Sequence, residues 1–181
     1  MGIEIERRFL VDGRNAKPWQ NCESVIPMYQ CYLSGVAHVD GVISYSGVSL
    51  VNEEGPIENI ATWRIRKQGD ECVLTAKGRR FGASAIEHEW PISSDVFDLI
   101  TNAEKLPSTR KSRFLWRGND GLLWEIDEFE DDLAGLVIAE VELDDENQAV
   151  IIPDWVGMEL TNLKGWSNAN LAKMIEDAKR F

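Results

Sequence analysis

With 181 residues, 44% of them hydrophobic, the chain suits one globular domain with a sizeable core, and its 14 glycines and 6 prolines are too scattered to form a linker between two halves. A net charge of −12 excludes a general nucleic-acid or anionic-membrane surface, because such surfaces draw on an excess of Lys and Arg. Acids at Glu4 and Glu6 with no basic stretch before an apolar run argue against a signal peptide, and no stretch approaches the ~18 apolar residues of a membrane span.

The first predicted element is a strand in Met1–Leu10, where Glu4, Glu6 and Arg8 alternate with Ile3, Ile5, Arg7 and Phe9. Residues two apart share a face of a strand, so one side carries two carboxylates and a guanidinium while the other is mostly apolar. Asp12-Gly13 marks a turn, and a single helical turn is expected to open at Pro18. Met28–Leu33 reads as the second strand. Ser34–Asn59, rich in Gly, Ser and Val, reads as a hairpin around Val42–Leu50 or a mobile flap beside a tunnel mouth.

The pattern then sharpens. Thr62–Lys67 and Cys72–Lys77 form a hairpin signature across Gln68-Gly69-Asp70, and Ala85–Trp90 follows, ended by Pro91. Ser93-Ser94-Asp95 caps a helix to about Glu104, with Val96, Leu99, Ile100 and Ala103 at helical spacing. Three more strands are predicted over Ser108–Trp116, Leu122–Phe129 and Gly135–Leu143. Ser167 caps a last helix over about 167–180, with a stripe of Leu171, Met174, Ile175 and Ala178 expected to pack on the sheet. Cys22, Cys31 and Cys72 are odd in number and lack C-x-x-C spacing, which favours reduced thiols in a cytoplasmic protein. His38 and His88 are isolated and read as ordinary histidines.

Seven of the eight proposed strands carry ionisable groups at period two: Glu4/Glu6/Arg8, Arg64/Arg66, Thr75/Lys77, Glu87/Glu89, Lys111/Arg113, Glu125/Asp127 and Glu140/Glu142. An open sheet would turn that face to solvent. A closed barrel would turn it inward and pack helices outside. Among the inward candidates, Glu4, Glu6, Glu87, Glu89, Asp127, Glu140 and Glu142 oppose Arg8, Arg64, Arg66, Lys77, Lys111 and Arg113, a net of −1 that two divalent cations would carry to +3. Unpaired charge in a water-poor lumen costs several kcal/mol per ion. Such a lumen therefore suits a polyanion together with hard, oxygen-seeking metal, Mg²⁺ or Mn²⁺ in preference to Zn²⁺.

These strands resemble the CYTH superfamily of triphosphate tunnel metalloenzymes. Glu4-Ile-Glu6-Arg-Arg8-Phe-Leu is similar to the family's E-x-E-x-K signature. Arg64-Ile-Arg66, Leu74-Thr-Ala-Lys77, Glu87-His-Glu89, Lys111-Ser-Arg113, Trp124-Glu-Ile-Asp127 and Glu140-Val-Glu142 follow in the family's order. Gly135–Leu143 and Ser167-Asn168-Ala-Asn170-Leu resemble its short bacterial, inorganic tripolyphosphatase-like branch.

The resemblance implies an α+β fold, an eight-stranded antiparallel closed barrel with a charged lumen and helices packed outside, as one domain over residues 1–181. It further implies a metal-dependent hydrolase of linear triphosphates, inorganic tripolyphosphate first, with Mg²⁺ or Mn²⁺ as cofactor and a small-molecule substrate as partner. A monomer or homodimer is expected, without nucleic acid or membrane. Arg64, Arg66, Lys77, Lys111 and Arg113 are the implied phosphate ligands. Asp127, Glu140 and Glu142 are implied metal ligands, while Glu4, Glu6, Glu87 and Glu89 hold a second metal or orient the attacking water.

Arg8 stands where the family has lysine, and with Tyr32 it would form the pair that helps activate water. Arginine keeps the charge but stays protonated, so binding without a general-base role is expected of it. Rival readings are a class IV-type adenylate cyclase, a thiamine triphosphatase, and a non-catalytic polyphosphate- or nucleotide-binding module.

Overall fold

In a computed structural model, which describes residues 2–22 and 24–179, the chain forms twelve strands and two α-helices. Eight strands close a barrel: β1 (Gly2–Val11), β2 (Ser24–Leu33), β6 (Ile60–Gln68), β7 (Glu71–Gly78), β8 (Ser84–Ile92), β9 (Ser108–Arg117), β10 (Leu123–Phe129) and β11 (Val137–Glu142). Their order is β11-β10-β9-β2-β6-β7-β8-β1, and β1 closes the ring by pairing again with β11. Length makes this closure possible. Gly2–Ile5 of β1 pair with β8, while Glu6–Val11 pair with β11.

The expected strands all form, and β8 runs on through Pro91 to Ile92. Helix α1 (Ser94–Ala103) starts where Ser93 accepts a hydrogen bond from the Val96 amide. Its buried residues are Phe97 and Ile100, and Leu99, assigned to the buried stripe from spacing, is 55% exposed. Helix α2 (Asn168–Ala178) has the predicted cap on Ser167. Leu171 and Ala172 are its buried residues, whereas Met174 is 56% exposed. The expected end of this helix at residue 180 lies outside the described residues. The helical turn at Pro18 is a 3₁₀ turn, Pro18–Gln20, that buries Trp19. Cys31 and Cys72 are buried free thiols, and Cys22 is a half-buried one.

Residues 34–59 contain the hairpin expected around Val42–Leu50, extended by a further strand. They fold into a three-stranded sheet of β3 (Ala37–Val39), β4 (Val42–Tyr45) and β5 (Val48–Asn52). Asp40-Gly41 and Ser46-Gly47 make its two tight turns with positive φ at all four residues, which suits the right-handed twist of a hairpin. Ile43, Tyr45 and Leu50 of this sheet pack with Phe97 and Ile100 of α1 over Cys31, Leu33, Ile65, Cys72 and Leu74 of the barrel's outer face. The segment is a wall cover, and none of it lines the lumen.

A second outer cluster covers the opposite wall, where Phe9, Trp124, Ile126, Ala139 and Val141 meet Trp19 and Trp155. The third lies at one end of the lumen. Leu10, Phe129 and Ile138 share the inward parity of Arg8, Asp127 and Glu140, and they cluster with Leu160, Trp166 and Leu171. A short strand β12 (Val156–Glu159) pairs with β1 and delivers that segment. It is stitched in by Leu160 N–H to the Arg8 carbonyl (2.7 Å) and by Arg8 N–H to the Thr161 hydroxyl (3.1 Å). The barrel is therefore a cup, apolar at its closed end and charged above it.

Candidate active site

Directly opposed residues of antiparallel strands face the same way, so register decides which inward charges meet. Arg8 opposes Glu140, Glu125 opposes Glu140, Arg113 opposes Asp127, Arg64 opposes Thr75, Thr75 opposes Glu89, and Lys77 opposes Glu87. The result is a cavity of about 750 Å³. Lining it are Glu4, Glu6, Arg8, Tyr32, Arg64, Arg66, Lys77, Glu87, Glu89, Arg113, Glu140 and Glu142, all singled out from the sequence. Glu125, Arg79, Arg80 and Lys164 complete the charged lining, giving eight cationic and seven anionic side chains.

Two sequence candidates lie elsewhere. Lys111 and Asp127 are 1% and 0% exposed, do not line the cavity, and are paired with each other. Arg113 closes a bidentate fork on the same carboxylate, Nε to Oδ1 and Nη2 to Oδ2, both at 2.7 Å. Asp127 thus sits between two buried cations beneath the cavity and off its lining. Lys111 is likewise a buried counter-ion off the lining. Burial pulls its ammonium down to about 8 despite the Asp127 carboxylate.

Above that pair, Glu140 receives Arg8 Nε at 2.7 Å and Arg113 Nη2 at 2.9 Å. Burial alone would raise its pKa. Arg8, Arg113 and Lys111 outweigh burial and hold the carboxyl well below the usual range. Arg8 Nη1 also donates to the Trp166 carbonyl (3.0 Å), which ties the inward guanidinium to the segment before α2. Burial opposes the charge on Arg8, but Glu140 and Glu6 raise its pKa, so it stays a cation. Burial drives the Tyr32 phenol the other way, up to about 12, against the pull of Arg64 and Arg8. Of the roles the sequence left open for Tyr32, this environment favours the one in which it stays a phenol.

On the facing wall Arg64 donates to Gln30 (3.0 Å) and Thr75 (3.1 Å), and Arg66 to Glu89 (3.3 Å). Lys77 meets Glu4 at 2.6 Å and Glu87 at 3.4 Å. Arg8 Nη2, Arg64 Nε and Arg66 Nε are buried donors with no hydrogen-bond partner. Orphaned charged donors are expensive inside a protein, and phosphoryl oxygens would satisfy them.

The acids gather on the opposite arc. Glu6 and Glu142 are register partners on β1 and β11, and Glu142 makes no ion pair among the described residues. Burial raises the pKa of Glu4, Glu6, Glu125 and Glu142, and neighbouring carboxylates add to the shift in each case. Crowded, partly desolvated carboxylates are an all-oxygen donor set of the kind that a hard divalent cation relieves. No three or more of them are drawn together at ligating separations among the described residues, since the cations of the lumen hold most of them apart.

Arg79, Arg80 and Lys164 are charged lining residues that sequence reasoning missed, and Arg80 is the one that reaches into the acidic arc. It lies on the loop after β7, outside any period-two pattern, yet reaches the Glu6 carboxylate. Its only sequence signal was the Arg79-Arg80 pair next to a charged strand.

No family model matches the chain. Among curated proteins, an inorganic triphosphatase of Acetivibrio thermocellus is 32% identical over 174 residues, covering 96% of this chain and 95% of the relative. An inorganic triphosphatase of Nitrosomonas europaea is 36% identical over 178 residues, covering 95% and 98%. Among solved structures, the crystal structure of an inorganic triphosphatase aligns over 95% of each chain at 30% identity with a TM-score of 0.59.

Proposed function

This chain belongs to the inorganic triphosphatase family, within the CYTH superfamily of tunnel proteins, and from that premise we propose how its lumen hydrolyses a linear triphosphate, inorganic tripolyphosphate above others. The observation that carries the reading is the set of three unpartnered guanidinium donors, on Arg8, Arg64 and Arg66, in a charged cup of about 750 Å³.

Arg64, Arg66 and Lys77 bind along one wall, with Arg113 and Arg8 across from them. Arginine's planar fork suits the oxygens of successive phosphoryl groups. Glu4, Glu6 and Glu142, with Glu87, Glu89 and Glu140 in reach of the same space, would hold Mg²⁺ or Mn²⁺. Such an ion supplies charge neutralisation at the phosphoryl oxygens and polarisation of the terminal phosphorus.

Phosphoryl transfer asks the protein mainly for position and electrostatic stabilisation. Arg8 stays protonated and Tyr32 stays a phenol, so neither takes the proton of the attacking water, and that proton passes to a phosphoryl oxygen of the substrate as the bond to the leaving pyrophosphate breaks. Their part is to hold the terminal phosphoryl group so that water meets it in line. The apolar closed end around Leu10, Phe129 and Ile138 admits nothing charged, so the chain of phosphates enters from the charged mouth.

A phosphate-release panel over tripolyphosphate, pyrophosphate, ATP and thiamine triphosphate, with and without Mg²⁺ or Mn²⁺, tests this. Metal-dependent release, greatest from tripolyphosphate, is expected. Cyclic AMP and pyrophosphate from ATP, or tight binding with no turnover of any substrate, would refute it.

A further inference from the structure

Arg80 belongs to no barrel strand, and its position follows from the tight return between β7 and β8. Phe81 and Ser84 exchange backbone hydrogen bonds at 2.9 and 3.1 Å, and Gly82 takes φ +61 between them. That turn folds Arg80 back over the barrel rim. There Nη1 donates to the Ala83 carbonyl (3.0 Å) and the Glu6 carbonyl (3.3 Å), while Nη2 binds the Glu6 carboxylate and lies 3.8 Å from Glu4 Oε2.

One guanidinium thus bridges two carboxylates that stand two residues apart on the inward face of β1. On β8 the residue opposite Glu4 is Ala85, whose small side chain leaves the inward face free for the guanidinium. Arg80 is the guanidinium on Glu6, and it shares Glu4 with Lys77, which lies 2.6 Å from the same oxygen, so a divalent cation drawing on both carboxylates would meet Arg80 first at Glu6. The two cannot share those oxygens, because like charges at about 4 Å repel strongly in a partly buried site.

We propose that Arg80 is a resident counter-ion of the acidic arc, displaced by the divalent cation and then turned toward the triphosphate. The inference rests on the metal-dependent reading above. While Arg80 stays on Glu6 it opposes metal, and once metal has taken Glu4 and Glu6 the released charge adds to substrate binding. Metal and triphosphate are then coupled through one side chain, and each raises the affinity for the other.

The test is to titrate the full chain with Mn²⁺ alone, reading free Mn²⁺ by electron paramagnetic resonance, for the wild type, Arg80→Gln and Arg80→Lys. Removing a cation this close should tighten Mn²⁺ binding by about tenfold in Arg80→Gln, and raise its KM for tripolyphosphate. Arg80→Lys should stay near wild type in both. Unchanged or weaker Mn²⁺ binding by a folded Arg80→Gln would overturn the proposal while leaving the metal-dependent reading intact. Absence of Mn²⁺ binding by all three chains would overturn both.

A second measurement needs no uncharged variant. In the wild-type chain, Mg²⁺ alone should shift the Arg80 side-chain Nε–H resonance, identified by its loss in Arg80→Lys. An unmoved resonance at saturating Mg²⁺ would equally overturn the displacement.

Discussion

Replacing Asp127 with alanine separates a structural acid from a metal ligand. Its carboxylate is fully buried and accepts from Lys111 and, through two bonds of 2.7 Å, from Arg113. Arg113 keeps Glu125 and Glu140 when Asp127 is gone, but Lys111, 1% exposed, is left with no ion-pair partner among the described residues. Breaking one side of a buried ion pair costs roughly 3–5 kcal/mol. At ~2–4 °C per kcal/mol for a chain of this size, the unfolding midpoint should fall by roughly 6–20 °C.

Urea and thermal unfolding with a chelator present would read this with metal playing no part. The Lys111 pKa is depressed to about 8 in the folded wild type against an ordinary 10.5, so between those values the unfolded chain binds more protons and stability rises with pH. Without the Asp127 carboxylate the ammonium is pulled lower still, so the deficit should shrink as pH rises toward about 8 and stay level above it. Replacing both partners, Lys111→Met with Asp127→Leu, should recover most of the loss, since an apolar pair of similar volume often matches a buried ion pair. A midpoint within about 2 °C of wild type in metal-free Asp127→Ala, with metal affinity abolished, would refute the reasoning.

Further outcomes follow from the same geometry. Because burial holds the Tyr32 phenol at about 12, Tyr32→Phe should leave the pH–rate profile unchanged in shape between pH 6 and 10. Its kcat should fall by less than ~10-fold, whereas loss of a true general base would cost ~10²–10⁴-fold. Arg66→Ala removes an unpartnered buried donor, so KM for tripolyphosphate should rise ~10- to 100-fold, as expected for one charge-assisted contact, with a smaller change in kcat. Leu171→Ala should cost about 2–5 kcal/mol in urea unfolding by opening the apolar closed end, and a loss under ~1 kcal/mol would mean the helix merely rests on the barrel.

The barrel was legible because seven strands repeat the same period-two charge, and register alone then brings Arg8 to Glu140 and Lys77 to Glu87. Depth along the lumen was not legible. Asp127 has the same inward parity as Glu125, yet one sits buried between two cations and the other lines the cavity. The closed end was hidden for a related reason: Leu10, Phe129 and Ile138 continue the inward face as apolar residues, which in a strand read alone look like outer-wall positions.

In the sheet over 34–59 the hairpin around Val42–Leu50, turning at Ser46-Gly47, was legible, whereas the turn at Asp40-Gly41 that adds the first strand was lost in the surrounding Gly- and Ser-rich composition. Arg80 could not be placed, because a loop has no period and its target, Glu6, lies 74 residues away.

If water attacks the terminal phosphoryl group of a triphosphate lying in the charged cup, incubating the chain with tripolyphosphate and Mg²⁺ in heavy-oxygen water and following the products by phosphorus NMR should give labelled orthophosphate and unlabelled pyrophosphate in equal amounts, both absent when metal is withheld. Intact tripolyphosphate, or label in the pyrophosphate, would rule that attack out.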